Sequence, residues 1–262
     1  MSDLKVKKIL FSQDAPVFIE NTPYAELLKK YRIKINFFKF FRIDPIPSQE
    51  FKKSGINILD YREIIMTSKY AVDHFFRVVK ELKIVLPIDI KFFCINEPVA
   101  IHVGKYVKYK KTQIEFQDNA NMENLWELIM GKRRNRRELL IPCALESSSN
   151  PIIDWLDNRN VKYTKAEVFK ILLAEVHKEI NIYDYNMLVF FSPYGIQALM
   201  QSYPDYKQEN MVIAAMGSQA IAAAEKAGLT LQIAVSTAEN PSIFTAIDKY
   251  LGTVIDTKRQ PK

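Results

Sequence analysis

Short apolar runs alternate with amphipathic segments along almost the whole chain. The run EIIMTS, from Glu63 to Ser68, has the length of a buried strand, and the segment after it has apolar residues at helical spacing. These residues are Val72, Phe75, Phe76 and Val79. Strands that alternate with helices form parallel sheets covered by helices. The pattern therefore predicts an α/β fold rather than a β-sandwich or a helical bundle.

The predicted elements follow one another closely, and they are clearest in the C-terminal third. We predict strands over residues 6–12, 33–41, 63–68, 90–95, 138–142, 161–171, 187–191, 211–216 and 229–235. We predict helices that begin at or near residues 23, 48, 69, 123, 151, 193, 218 and 241. Gly228 ends the helix that begins at Ser218, as a left-handed C-cap does.

An internal repeat connects the two halves of the chain. The segment IIMTSKYAVDHFF, from Ile64 to Phe76, aligns with LVFFSPYGIQALM, from Leu188 to Met200. In each copy a strand runs into a serine that precedes a tyrosine and a helix, and the next strand ends 25 to 28 residues after the serine, at Asn96 or Gly217. Such self-similarity predicts two related, open α/β units.

Three serines lie where strands are predicted to end and helices to begin: Ser68, Ser192 and Ser218. In an open parallel sheet the ligand site lies at the carboxyl ends of the strands, where helix N-termini offer free N–H groups and a positive dipole end. Carboxylates bind well at such positions. A serine before a helix is also a favourable N-cap worth about 1 kcal/mol, so capping alone stays an alternative for each serine.

Composition excludes several classes of protein. With 262 residues, 48% of them hydrophobic, the chain can bury the cores of two domains. Its apolar runs are far shorter than the roughly 20 residues of a membrane helix, and we expect no membrane association. The first residues lack the apolar core of a signal peptide, and Cys94 and Cys143 have neither metal nor disulfide spacing. We therefore expect a cytoplasmic protein with reduced thiols.

The sequence indicates no cofactor. Seven glycines leave no room for a dinucleotide fingerprint or a phosphate loop. The three histidines, His74, His102 and His177, are far apart and show no metal-ligand spacing. We therefore expect neither a nucleotide cofactor nor a metal.

Much of the net charge of +7 comes from two basic segments, residues 105–111 and 131–137. They are either solvated loops and helix ends, or a surface that attracts an anionic ligand. Nucleic-acid binding would require interleaved aromatic residues or a recognised module, and neither is visible, so we expect no nucleic-acid partner. RNA binding through the segment 132–137 stays open as a minor alternative.

The segments MTSKYAV, FFSPYGI, MGSQAIAAAEKAGL and ENPSIFTAI, in this order along the chain, resemble motifs of the uroporphyrinogen-III synthases. MTSKYAV (66–72) and FFSPYGI (190–196) are similar to the turn that this family has in each of its two domains. MGSQAIAAAEKAGL (216–229) is similar to the family's G-P-x-T-A-x-A-A-x-x-x-G-L segment, and ENPSIFTAI (239–247) to its P-T-x-x-x-L-x-x-A-I. By the order and spacing of these motifs the chain is identified as a divergent member.

The resemblance implies two flavodoxin-like or Rossmann-like α/β domains, one inserted in the other and joined by a two-stranded linker. The first domain would contain residues 1–41 and 174–262, and the inserted domain residues 42–173. The linkers, near residues 40–45 and 165–173, would run side by side. The Pro45-x-Pro47 break supports the first crossing independently.

The reaction that the resemblance implies is the cyclisation of hydroxymethylbilane, a linear tetrapyrrole with many carboxylates, to uroporphyrinogen III with inversion of the last pyrrole ring. It would take place in the cleft between the domains of a monomer, without a cofactor. The work of the enzyme would be mainly orientation and electrostatics. The residues expected to bind the substrate are Thr67, Ser68, Ser192, Pro193, Gly217, Ser218 and Gln219.

This sequence departs from the family at positions that carry hydroxyl groups. Phe169 stands at the position of the family's tyrosine in the returning strand, which is a candidate acid for the departing hydroxyl. Val99 and Ala220 replace threonines, and Gln13 stands where the family often has arginine. Other residues that remain as alternatives for the acid are Tyr163, Thr164, Tyr183 and Tyr185.

Two other functions stay open. The lost hydroxyls favour a non-catalytic relative that keeps the fold as a module for binding tetrapyrroles or other anions. The basic surface would also suit an unrelated two-domain protein that binds an anionic small molecule. Turnover of hydroxymethylbilane separates the enzyme from both, and binding of tetrapyrroles against simple dicarboxylates separates the two binding proteins from each other.

Overall fold

Parallel strands alternate with helices in the computed structural model, which describes residues 6–107, 113–116, 122–132, 138–145, 151–235 and 242–256. The strands form two sheets, and the contacts divide the chain into two compact units. We call Met1–Arg42 with Leu172–Lys262 the terminal unit, and Ile43–Ile171 the inserted unit. The predicted fold class, two open α/β units with one sheet built from both ends of the chain, is confirmed.

The elements are numbered along the chain. The strands are β1 (Lys8–Phe11), β2 (Lys34–Phe37), β3 (Phe41–Pro45), β4 (Glu63–Met66), β5 (Lys91–Cys94), β6 (Ile114–Glu115), β7 (Leu139–Ala144), β8 (Tyr163–Leu173), β9 (Met187–Phe190), β10 (Val212–Met216) and β11 (Ile233–Val235). The helices are α1 (Pro23–Tyr31), α2 (Ser48–Lys53), α3 (Lys69–Glu81), α4 (Glu97–Val103), α5 (Met122–Lys132), α6 (Pro151–Asp157), α7 (Val176–Glu179), α8 (Pro193–Ser202), α9 (Ser218–Lys226) and α10 (Ile243–Asp256).

The sheet of the terminal unit has the order β11-β10-β9-β1-β2, and its strand pairs are parallel. Successive residues of β1 point to opposite faces, as the period of two in a strand requires. Ile9 and Phe11 belong to one apolar cluster, and Leu10 belongs to another. Both faces of the central strands are therefore buried under helices, which explains why these strands are apolar throughout.

The sheet of the inserted unit has the order β3-β8-β7-β4-β5-β6, and β4 to β8 pair in parallel. Ile64 and Met66 of β4 face one cluster, and Ile65 faces the other. Strand β3 lies beside β8 at the edge of this sheet, where the N–H of Ile46 donates to the carbonyl of Val168 at 3.2 Å. The two strands at the crossings between units thus run side by side.

One predicted strand is divided in the structure. Residues 33–41 were predicted as one strand, but β2 ends at Phe37 and β3 begins at Phe41. Phe40, between them, is fully buried and packs edge-to-face on Phe190 with ring centroids 5.7 Å apart. An apolar run does not reveal where the backbone leaves one sheet for another, because both sheets demand the same residues.

Candidate functional site

In the inserted unit, two turns meet at the carboxyl edge of the sheet. Met66 pairs with Cys94 in the parallel register of β4 and β5, so Ser68 and Asn96, each two residues further on, come level. The Oγ of Ser68 accepts a hydrogen bond from the N–H of Ala71 at 3.1 Å and caps α3. The side chain of Asn96 caps α4 in the same way. Thr67 is half-buried beside this turn.

The terminal unit repeats this geometry. Phe190 pairs with Ala215 in the register of β9 and β10, so Ser192 and Gly217 come level. The Oγ of Ser192 accepts from the N–H of Gly195 at 3.4 Å and caps α8, whose first residue is Pro193. Gly217 precedes α9 with φ +93°, in the region that favours glycine. The next two residues, Ser218 and Gln219, expose their side chains at the start of α9.

The helices at these turns differ in the charge of their first turn. Helices α3, α8 and α9 have no acidic residue there, whereas α4 has Glu97. Lys69, the first residue of α3, is exposed. A lysine at this end opposes the helix dipole, and acidic residues are the ones that stabilise it. The N-termini of α3, α8 and α9 therefore remain open to an anion, and the N-terminus of α4 is already partly neutralised.

Phe169 lies at the same edge of the inserted sheet as Ser68. It pairs with Ala144, the last residue of β7. Leu140 of β7 pairs with Ile64 of β4, and Ala144 and Ser68 lie equally far beyond these two partners. The strand therefore carries this position to the carboxyl edge, but Phe169 is only 5% exposed. The imidazole of His74, in the second turn of α3, stacks on the phenyl ring.

The alternative hydroxyls in β8 lie at the opposite edge of the sheet. Tyr163 pairs with Leu139, at the amino end of β7, and Thr164 donates a hydrogen bond to Glu138 at 2.6 Å. The hydrogen bond from Tyr163 to Asp157, at 2.7 Å, raises the pKa of the phenol to about 12. Neither residue is near the turn at Ser68, so no shift of the alignment within β8 places a hydroxyl there.

The two tyrosines before β9 also lie away from the turns. Tyr183 and Tyr185 belong to the segment that enters the amino end of β9, and they line a cavity of about 160 Å³ there. The ammonium of Lys8 lies 4.4 Å from the ring centroid of Tyr185. These residues are therefore at the edge opposite Ser192 and Gly217.

Three other residues that we expect to differ from the family have simple packing explanations. Val99 and Ala220, at the third position of α4 and α9, are 4% and 1% exposed and belong to the core side of their helices. A buried hydroxyl would require a partner, and an apolar side chain does not. The amide of Gln13 donates to the phenol oxygen of Tyr24 at 2.6 Å, so its side chain is held within the terminal unit.

The structure extends the internal repeat beyond the segment that the sequence comparison aligned. The residues Asn57-Ile58-Leu59-Asp60-Tyr61 correspond to Asn181-Ile182-Tyr183-Asp184-Tyr185, with four identities in five. In both copies the asparagine caps a single 3-10 turn by accepting from the N–H two residues later at 3.2 Å. It also donates to the aspartate of the turn. Identity at a constant offset of 124 residues was the signal that could have revealed this pair.

Several other expectations concern surfaces and absences. Most of the first basic segment (108–111) and of the second (133–137) lies outside the described residues, as does the start of the ENPSIFTAI motif (239–241). Among the described residues, no three His, Cys, Asp or Glu side chains converge in a way that would hold a metal ion. Within the same part of the chain, no helix is long and apolar enough to cross a bilayer.

Comparison with known proteins decides the family. The family model described as uroporphyrinogen-III synthase HemD matches residues 22–245. The chain belongs to the uroporphyrinogen-III synthase family. This result confirms the family that the resemblance indicated.

Solved structures of family members share the fold at low sequence identity. A mutant uroporphyrinogen III synthase of Thermus thermophilus superposes with a TM-score of 0.69 at 11% identity, over 96% of this chain and 99% of that one. The uroporphyrinogen-III synthetase of Helicobacter pylori gives 0.56 at 14% identity, over 94% and 99%. No curated protein matches the chain significantly. At such identities the structures establish the fold and leave the activity open.

Proposed function

We propose that this protein is an active uroporphyrinogen-III synthase, which closes hydroxymethylbilane to uroporphyrinogen III with inversion of the last pyrrole ring. The observation that carries the proposal is the set of three helix N-termini, those of α3, α8 and α9, that have a strand-end turn and no acidic residue in the first turn. Membership of the family supplies the reaction, and these turns supply suitable binding groups for a polycarboxylate.

Each unit by itself offers turns at which substrate carboxylates would accept hydrogen bonds. Thr67 and Ser68 would act in the inserted unit, and the segments 192–193 and 217–219 in the terminal unit. Ser218 and Gln219 are exposed and have hydrogen-bond donors for a carboxylate, and no described atom lies in front of the Gly217 backbone where a Cβ would stand. Binding a flexible chain at several fixed points lowers the entropic cost of bringing its two ends together.

The chemistry requires no organic cofactor, because the pyrrole rings supply the electrons that expel the hydroxyl. The protein has to hold the reactive chain in a ring-closing shape and to stabilise the charge that develops on the departing oxygen. The unpaired thiols of Cys94 and Cys143 are buried in the core, which fits the reducing cytoplasm that we propose as the location.

A non-catalytic relative is the second candidate, and Phe169 favours it. A buried phenylalanine at the position of the family's tyrosine has no proton to give. Such a protein would bind tetrapyrroles through the same turns without closing the ring. Both candidates predict binding, so turnover decides between them.

The test is to supply freshly generated hydroxymethylbilane and to separate the product isomers by chromatography. Spontaneous closure gives the type I isomer, so an active enzyme enriches type III in proportion to its concentration. A mixture no richer in type III than the background without enzyme would refute the proposed activity and leave the binding module.

Binding at the turns is tested by Ser68→Ala, with Asn57→Ala as the matched control. Ser68→Ala loses a capping hydrogen bond at 3.1 Å. Asn57→Ala loses a capping hydrogen bond at 3.2 Å and the exposed one to Asp60, and we expect each variant to lose about 1 kcal/mol of stability or less. Only Ser68 is at the carboxyl edge of the sheet. We therefore expect Ser68→Ala alone to weaken the binding of uroporphyrin III, a stable oxidised form of the product, by about fivefold or more, measured by fluorescence titration. Equal affinities of the two variants would argue against this site.

A further inference from the structure

The imidazole of His74 covers the position at which the family has its tyrosine. The ring centroids of His74 and Phe169 are 5.2 Å apart and their planes differ by 27°. Phe169 is 5% exposed, whereas His74 is half-buried and keeps part of its surface open. A molecule at the carboxyl edge of β7 and β8 therefore meets the imidazole before it meets the phenyl ring.

Arg77 fixes the orientation of this imidazole. Its Nε donates a hydrogen bond to Nδ1 of His74 at 3.4 Å. Its Nη2 donates to the carbonyl oxygens of Ile46 and Val168, at 2.7 and 3.0 Å, which anchors the guanidinium on β8 and on the residue after β3. Because Nδ1 accepts, the proton of the neutral ring lies on Nε2. No described residue takes a hydrogen bond from this nitrogen.

The environment keeps the ring uncharged near neutral pH. Burial lowers the pKa of His74, and the charge of Arg77 lowers it further, against a smaller opposite effect of Asp73. Strand β8, which packs against the ring, presents the uncharged Phe169. A neutral imidazole with its proton on the outer nitrogen is a hydrogen-bond donor of fixed direction.

We infer that His74 replaces the family's tyrosine: its Nε2–H donates a hydrogen bond to the hydroxyl oxygen of hydroxymethylbilane as that oxygen departs. The inference rests on the proposed function and names a residue of that site. As the C–O bond breaks, its electron pair goes to the oxygen, which takes a proton from solvent and leaves as water. The lone pair of the adjoining pyrrole nitrogen supplies the electrons that the carbon loses.

Ring closure then restores the balance of electrons and protons. The electron-poor carbon forms a C–C bond with the ring carbon of the last pyrrole that already carries a methylene bridge. The older bond from that ring carbon to the bridge then breaks, and the lone pair of the neighbouring pyrrole nitrogen supplies the electrons that the bridge carbon loses. The free ring carbon of the last pyrrole, now inverted, bonds to the bridge carbon and releases its proton to solvent. The imidazole stays neutral throughout and stabilises negative charge on the oxygen only while that charge develops. A pre-oriented donor of this kind contributes about 10²- to 10³-fold to a rate.

Two variants separate the hydrogen bond from packing. H74F keeps a stacked aromatic ring but has no donor, and we expect kcat to fall about 10²-fold or more with KM changed by a factor of about three or less. H74Q keeps an N–H donor and is expected to lose about tenfold or less. H177Q, which changes a histidine of the terminal unit beside Tyr203, is the matched control and should keep the wild-type kcat.

The pH dependence gives a readout that packing would not affect. The neutral ring is the active form, and protonation would put a second donor on Nδ1 against Arg77. The kcat of the wild type should therefore fall as the pH decreases through the lowered pKa of His74, and stay level above it. H74Q does not titrate, so its profile should lack this acid limb.

Placement of His74 is tested separately from turnover. In the complex with uroporphyrin III, the ¹⁵N signal of His74 Nε2 should shift, and that of His177 should not. An unshifted His74 signal at saturation, an H74F variant with wild-type kcat, or an H74Q variant that keeps the acid limb would each overturn the inference while the proposed function stands. A wild type without type III enrichment refutes the proposed function and the role of His74 with it.

Discussion

Arg77 offers the sharpest test of how the inserted unit holds β3 and β8 together. Its Nη2 donates to Ile46 and Val168, and its stem lies in a helix whose apolar side is core. We consider Arg77→Met, which keeps the stem and removes all donors. A hydrogen bond from a charged donor contributes about 1.5–3 kcal/mol. Val168 keeps a second donor in the N–H of Ile46, so we expect a total loss of about 2–4 kcal/mol.

The matched control removes the charge of Glu81, which pairs with Arg77 at the surface and also accepts hydrogen bonds from Ser48; a glutamine keeps an oxygen that can accept from Ser48. Glu81 pairs with Nη1 at 3.0 Å and is 42% exposed, so the ion pair is largely screened by solvent. We expect Glu81→Gln to cost about 0.5 kcal/mol or less. The difference between the two variants then measures the hydrogen bonds to the backbone together with the longer one to His74, rather than the ion pair.

Tryptophan fluorescence in a urea titration is the assay, because it reports on the unfolding of the inserted unit, which contains Arg77. The chain has two tryptophans, Trp126 and Trp155, and both belong to the inserted unit. The midpoint should decrease for Arg77→Met with little change in the slope, which would indicate lost stability rather than a changed unfolded state. A loss no larger than that of Glu81→Gln would refute the argument that the guanidinium anchors β3 and β8.

Two further predictions concern the backbone and the thiols. Gly217→Ala should lower stability by about 1–3 kcal/mol in thermal unfolding, because φ is +93° there, whereas Gly131→Ala, in a helix with open space, should raise it by up to about 1 kcal/mol. Equal effects would contradict the backbone argument. Burial raises the pKa of both Cys94 and Cys143 to about 12, so a thiol reagent at pH 8 should label neither until urea unfolds the chain. Rapid labelling of the native protein would show that a thiol is accessible.

The positions of the strands and helices were largely predictable because each sheet is buried on both faces. Ile64, Ile65 and Met66 are all apolar because neighbours on the same strand face different clusters. The start of α1 at Pro23 and that of α8 at Pro193 follow from proline's place in a first turn. The predicted bounds of the strands were wrong where apolar residues lie on both sides of a boundary, as at Phe40. Strand β11 also begins at Ile233 rather than at residue 229.

The positions of the turns could be predicted from the sequence. The charge of each helix's first turn could be compared only once the structure had defined where the helices begin. Ser68 and Ser192 are visible in the sequence as the residues between strand and helix. Asn96 and Glu97 are likewise neighbours in the sequence, but only the register of β4 and β5 shows that Asn96 comes level with Ser68.

The sequence by itself determined the α/β class, the internal repeat and the family, because these depend on local periodicity and on the order of motifs. Only the tertiary structure decided which side chain lies over Phe169. His74 and Phe169 are 95 positions apart, and no periodicity relates them, but the parallel register of β7 and β8 carries Phe169 to the edge where α3 places the imidazole. Contacts between distant segments depend on how strands and helices pack against one another, and the pattern of residues along the chain does not specify that packing.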